Sequence, residues 1–157
     1  MTEPNVRIEE LRPMRVASFL GFGPEPETLA WKQLLEWARP RGLLDDPAAH
    51  PIFGFNNPSP SAGSPNYGYE LWIEVAPDMP EEPGATYAQV PGGLYAVSRC
   101  EVRKGQFDDI GRGWRQLVAW REASPYRCAE HQWLERTVPG SWPDLEFVLD
   151  LCLPIRE

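Results

Sequence analysis

"WKQLLEW", residues 31–37, returns downstream as "WRQLVAW", residues 114–120. Trp31 aligns with Trp114, Gln33 with Gln116, Leu34 with Leu117, Leu35 with Val118 and Trp37 with Trp120, all at one offset. A match of this length at one spacing points to two copies of a supersecondary unit. Both copies are helical in pattern. Trp31, Leu34, Leu35 and Ala38 fall at i, i+3, i+4 and i+7, one face of a helix. Ile110, Trp114, Leu117, Val118 and Arg121 trace the same stripe in the second copy. The first helix should end in "ARPRG" (38–42), because Pro40 disfavours helical geometry at Arg39 and Gly42 is a good stop. "EASPY" (122–126) closes the second. Gly111 and Gly113 weaken its first turn by about 1 kcal/mol each relative to Ala.

Strand-like runs flank both helices. "RVASFLGFG" (15–23) precedes the first, and "PIFGFNN" (51–57) and "YGYELWIEV" (67–75) follow it. "LYAVSRCEV" (94–102) precedes the second, and "HQWLERT" (131–137) and "LEFVLDLCLP" (145–154) follow it. Each half therefore reads β-α-β-β, and "NVRIEEL" (5–11) and "TYAQV" (86–90) are further strands. "PDMPEEPGA" (77–85) reads as a linker between halves 5–76 and 86–155 of one domain, 1–157. "NNPSPSAGSP" (56–65) reads as a loop. The expected class is α+β, with two β-α-β-β units joined edge to edge in one antiparallel sheet and both helices on one face.

Alternation along a strand sends neighbours to opposite faces. In 67–75 this puts Tyr67, Tyr69, Leu71, Ile73 and Val75 under the helices and Glu70, Trp72 and Glu74 on the other face. In 131–137 it puts Trp133, Glu135 and Thr137 together. A face carrying tryptophan and carboxylate is either a solvated surface or the lining of a cleft. The acids at 81–82 and 108–109 are expected to be solvated.

The 157 residues are 42% apolar, with seven Trp, five Tyr and six Phe, enough for a core and a surplus of aromatic rings. A net charge of −8 disfavours direct nucleic-acid binding. Cys100, Cys128 and Cys152 have no CxxC spacing, and His50 and His131 stand apart, so neither a disulfide framework, a metal site nor a cofactor is suggested. No apolar run approaches the roughly 20 residues of a membrane span, and "MTEPNVRIEE" (1–10) has no apolar signal core. A reduced, cytoplasmic protein without membrane contact is expected. The oligomeric state, monomer or dimer, stays open.

Taken in order, these segments resemble the GyrI-like (gyrase-inhibitor-like) small-molecule-binding domain, which is also the effector-binding domain of AraC- and MerR-type multidrug regulators. "RVASFLGFG" with the "WKQLLEWARPRGL" helix resembles its first half. "FGFNNP", "YGYELWIEV", "VPGGLYAVSRCEV", "HQWLERT" and "EFVLDLCLPI" follow in the family's order, so the likeness runs over about residues 5–155. The resemblance implies pseudo-two-fold symmetry and a central cleft between the halves, on the face away from the helices. That cleft holds a glutamate ringed by aromatics and takes lipophilic, planar, cationic molecules. The glutamate lands on Glu135. Thr137 stands where the family often has Tyr, so the missing wall would come from Trp133 or Trp142. Trp72, Tyr95 and Phe53 are further candidate lining residues. Tyr69 is carried in the same set, although alternation puts it under the helix. Trp31 and Trp114 are expected to pack the helices.

Ring faces attract an organic cation by about 0.5–2 kcal/mol per contact, and a half-buried carboxylate adds complementary charge. The leading expectation is a stand-alone receptor for such ligands. A second is a hydrolase opening the cyclopropane ring of DNA-alkylating xenobiotics, with Glu135 as general base. A third is an inhibitor of DNA gyrase whose negative charge imitates nucleic acid. No nucleophile elbow or phosphate loop is legible. A regulator in its own right is not expected, because no helix-turn-helix precedes residue 5.

Overall fold

The computed structural model describes residues 5–157. The elements run β1 (Val6–Leu11), β2 (Met14–Gly23), α1 (Pro26–Ala38), β3 (Ile52–Asn56), β4 (Tyr67–Val75), β5 (Thr86–Val90), β6 (Gly93–Arg103), α2 (Asp108–Glu122), β7 (Arg127–Cys128), β8 (Leu134–Thr137) and β9 (Leu145–Arg156). They divide into two units, residues 13–91 and residues 5–12 with 92–157. Each contains the β-α-β-β sequence that the repeat indicated: β2-α1-β3-β4 in the first and β6-α2-β8-β9 in the second, where the two-residue β7 intervenes between α2 and β8.

In the first unit the antiparallel strand order is β3-β4-β2-β5. Phe19 lies opposite Leu71 and Ala17 opposite Ile73. This stripe, with Tyr69 and Val75, packs against Ala30, Leu34, Trp37 and Ala38 of α1. Pro26 opens the helix, where its missing N–H costs nothing. Gly42, at φ 73°, ends the helical run as its left-handed stop, after a 3-10 turn at Arg39–Arg41. Trp37 is held by its indole N–H on the Pro83 carbonyl (3.2 Å), with Arg41 over its ring.

In the second unit the order is β1-β6-β9-β8, with β7 beside the end of β9. Ala96, Cys100, Val102, Leu151, Leu153 and Ile155 form the core under Leu117 of α2. Leu34 and Leu117, paired in the repeat, are both fully buried.

The halves differ from the expected boundaries at one strand each. β1 pairs with β6, Val6 opposite Ser98, and so joins the second unit. β5 pairs with β2, Met14 opposite Val90, and so joins the first. The chain changes unit beside Gly92. Its φ of 72° and its Cα, so close to the Leu11 carbonyl that an added Cβ would lie 2.1 Å away, admit no side chain. No helix among the described residues is long and apolar enough to cross a membrane.

Candidate functional site

Glu135 does not lie on the face turned away from the helices. β8 is shorter than its sequence pattern indicated, Leu134–Thr137, and Glu135 lies opposite Leu151 of β9, whose side chain is in the core beneath α2. Glu135 therefore faces α2. The Trp114 indole N–H donates to its Oε2 at 3.1 Å. Trp133, in the coil just before β8, meets the same indole, with ring centroids 5.2 Å apart and planes tilted by 40°. Trp133 is 43% exposed, and Glu135 and Trp114 are half-buried. Carboxylate, indole and open indole thus make one continuous group. Gly113 allows it: a Cβ there would meet the Leu151 side chain at 2.9 Å and Cys100 Sγ at 3.2 Å, so α2 sits close to the sheet beside Trp114.

The coil carrying Trp133 is anchored from the other side. The Tyr95 hydroxyl donates to the Gln132 carbonyl (2.6 Å), and His131 Nε2 donates to the Leu94 carbonyl (2.7 Å). Tyr95 and His131 rings meet edge to face at 4.7 Å, and Gly93 leaves room for the imidazole. Tyr95 is buried, and it holds the segment that presents Trp133. Its face of the sheet, away from α2, is crossed by ion pairs. Arg7 and Arg136 both donate to Asp150 Oδ2 (2.9 and 3.0 Å), and Arg136 also to Glu9 (2.9 Å).

The candidates of the first unit form a different arrangement. Trp72 and Phe53 lie opposite each other on β4 and β3, on the face away from α1. Phe55 meets Trp72 edge on at 4.8 Å. The Trp72 indole N–H donates to Glu70 Oε2 (2.7 Å), where Ser18 Oγ also donates (2.7 Å), while Asn57 Nδ2 donates to Oε1 (2.9 Å). This is a second carboxylate among aromatic rings, and its acceptors are already engaged. Tyr69 lies in the core under α1, its hydroxyl against Gly54. Trp142 folds onto Gly140 of its own loop, and its indole N–H is buried without an acceptor among the described residues.

Trp114 packs against the second core, as expected, and its indole N–H additionally meets Glu135, a contact that the helical stripe did not foretell. Asp109 also departs from expectation. It is 8% exposed, not solvated, and is paired with two arginines.

Cys100 and Cys152 are buried and Cys128 is exposed. Burial pushes the Cys100 thiol up to about 11 and the Cys152 thiol up to about 12, so neither ionises near neutral pH. Native protein at pH 8 is expected to release one equivalent of thionitrobenzoate from Ellman's reagent, from Cys128, and three after denaturation. Fast reaction of more than one native thiol would contradict the packing described. No cluster of three or more His, Cys, Asp or Glu side chains able to hold a metal occurs among the described residues.

Residues 7–155 match a family model described as Cass2, integron-associated effector binding protein. A DNA gyrase inhibitor from Pectobacterium carotovorum subsp. carotovorum (strain PC1) is 31% identical over 112 residues, 66% of this chain and 68% of the relative. The EcmrR C-terminal domain shares the fold with a TM-score of 0.71 at 13% identity, covering 99% of both chains. SAV2435, solved bound to tetraphenylphosphonium, does so with a TM-score of 0.57 at 7% identity, covering 97% of this chain and 94% of its own. The α+β architecture of antiparallel strands and two helices read from the repeat is the fold of these neighbours.

Proposed function

We propose that this chain, which belongs to the Cass2 family of integron-associated effector binding proteins, takes a lipophilic, planar cation at Glu135. It is a GyrI-like effector-binding domain, and such a domain binds a small molecule.

One observation carries it: a half-buried carboxylate shares an indole with a second, open indole. Trp133 offers a ring face to an aromatic cation, and the negative quadrupole of that face attracts the charge. Glu135 supplies the counter-charge in a setting less screened than bulk water. Trp114 orients the carboxylate by its N–H and extends the aromatic wall. Tetraphenylphosphonium, bound to SAV2435, shares the lipophilic, aromatic and cationic character of this class, though it is tetrahedral at phosphorus and not planar. Trp72 is engaged by the Glu70 carboxylate and the Phe55 ring, with Phe53 opposite it on β3, and Tyr95 acts by positioning the Trp133 coil.

Titration with tetraphenylphosphonium, followed by tryptophan fluorescence, tests the reading. Saturable quenching is expected. Trp133→Ala, a change at an open coil position, should weaken binding by about fivefold to tenfold, the loss of one cation–π contact. Unchanged affinity in that variant would remove Trp133 from the site. Chromatography of the ligand after incubation separates receptor from hydrolase: a receptor returns it unaltered.

The relative named as a DNA gyrase inhibitor favours a second reading, in which this acidic chain acts on gyrase. A supercoiling assay decides it. Full gyrase activity at large molar excess of the protein ends that reading and leaves the first untouched.

A further inference from the structure

We propose a second binding site, for a small oxyanion, beside the first turns of α2, with Arg103 and Arg112 as its donors and Asp109 as their anchor. A cavity of about 520 Å³ opens there, lined by Ser98, Arg99, Arg103, Asp109, Arg112 and Gln116 among others. That is the size of a small-molecule site. The guanidinium and carboxylate groups of this lining suit an ion and not the aromatic ligand proposed for Glu135.

The guanidiniums are held in place from below. Asp109 accepts Arg103 Nε and Nη2 (2.9 and 2.8 Å), Arg112 Nη1 (2.7 Å) and the Arg103 backbone N–H (3.1 Å). The hydrogen bonds from Arg103 hold its carboxyl well below the usual carboxylate range, so it stays ionised. Each guanidinium carries five N–H donors, and Asp109 uses two of Arg103 and one of Arg112. The rest belong to side chains 59% and 53% exposed at the cavity. An anion entering here meets donors already ordered, so little side-chain freedom is lost on binding. Arg99, also in the lining, is paired with Asp150 at 3.6 Å, which leaves Arg103 and Arg112, beside Asp109 and Glu101, as the donors at the cavity. Two guanidiniums in one hollow suit a single small oxyanion and fall well short of a nucleic-acid track.

The plainer role for these groups is to fasten α2 to the end of β6. One bidentate arginine does that, and Arg103 supplies it. Arg112 adds a second guanidinium at the cavity, which fastening does not require. It is the residue to change.

The test is calorimetric titration with inorganic phosphate, pyrophosphate and succinate at constant ionic strength. Saturable binding of a phosphate probe or of succinate is expected, and the preference tells which oxyanion the site takes. Arg112→Gln should weaken it about tenfold while leaving the thermal midpoint without anion unchanged, since the Arg103–Asp109 pair remains. Arg112→Lys should fall between. Glu135→Gln should bind the anions like wild type, which keeps this site separate from the cation reading. No saturable heat with any of the three up to about 10 mM, or full affinity in Arg112→Gln, would overturn the proposal.

Discussion

Glu135→Gln is expected to weaken tetraphenylphosphonium binding by about tenfold to thirtyfold, the largest effect of any single change at the cation site. Glutamine matches the shape of glutamate and keeps an amide oxygen to accept the Trp114 N–H, so the local packing survives. What disappears is the charge. At about 4 Å, two unit charges near a protein surface attract by about 4 kcal/mol, and desolvation of both ions cancels part of that. The remainder of about 1.4–2 kcal/mol is the stated loss. Fluorescence titration of both proteins measures it. A neutral aromatic of similar bulk should show no such difference between them. Equal affinity for the cation would mean that the carboxylate is merely an acceptor for Trp114.

Leu117→Ala is expected to lower the unfolding free energy by about 2–5 kcal/mol. Leu117 is 0% exposed and sits among Cys100, Leu151 and Leu153. Removing its isobutyl end loses buried apolar area and leaves a cavity that α2 can only partly close. Alanine's better helix propensity recovers a few tenths of a kcal/mol at most. Urea denaturation at 25 °C reads the change, with an unaltered m-value if the native fold is kept. A loss under about 1 kcal/mol would show that α2 is not seated as described. Because α2 also carries Trp114, a loosened helix should raise hydrogen exchange of its amides before global unfolding.

The local patterns of the sequence were the readable part. Two tryptophan-bearing helical stripes located α1 and α2, and alternation in 67–75 separated Tyr69, Leu71 and Ile73 from Glu70 and Trp72 as the sheet does. What local pattern does not carry is strand partnership. β1 and β5 exchange units because their hydrogen-bond partners, β6 and β2, are chosen by long-range pairing. Glu135 faces α2 because of its register against Leu151, and nothing within "HQWLERT" encodes that register. Trp133 precedes the strand, so alternation did not apply to it, yet it reaches Trp114 from the coil. Trp114 follows its repeat partner in packing on a core. Its match with Trp31, which packs on the first core, suggested packing alone, while its N–H is used by a carboxylate from another element. Asp109 had a local signal, Arg112 three residues on, the spacing of neighbours on a helix.

The decisive measurement is a structure of the protein soaked with or grown in tetraphenylphosphonium. The account expects the cation seated over Trp133 and Trp114, its phosphorus within about 6 Å of a ring centroid, facing the Glu135 carboxylate. A cation bound instead against Trp72 and Phe55, with Trp133 and Glu135 unvisited, would contradict it.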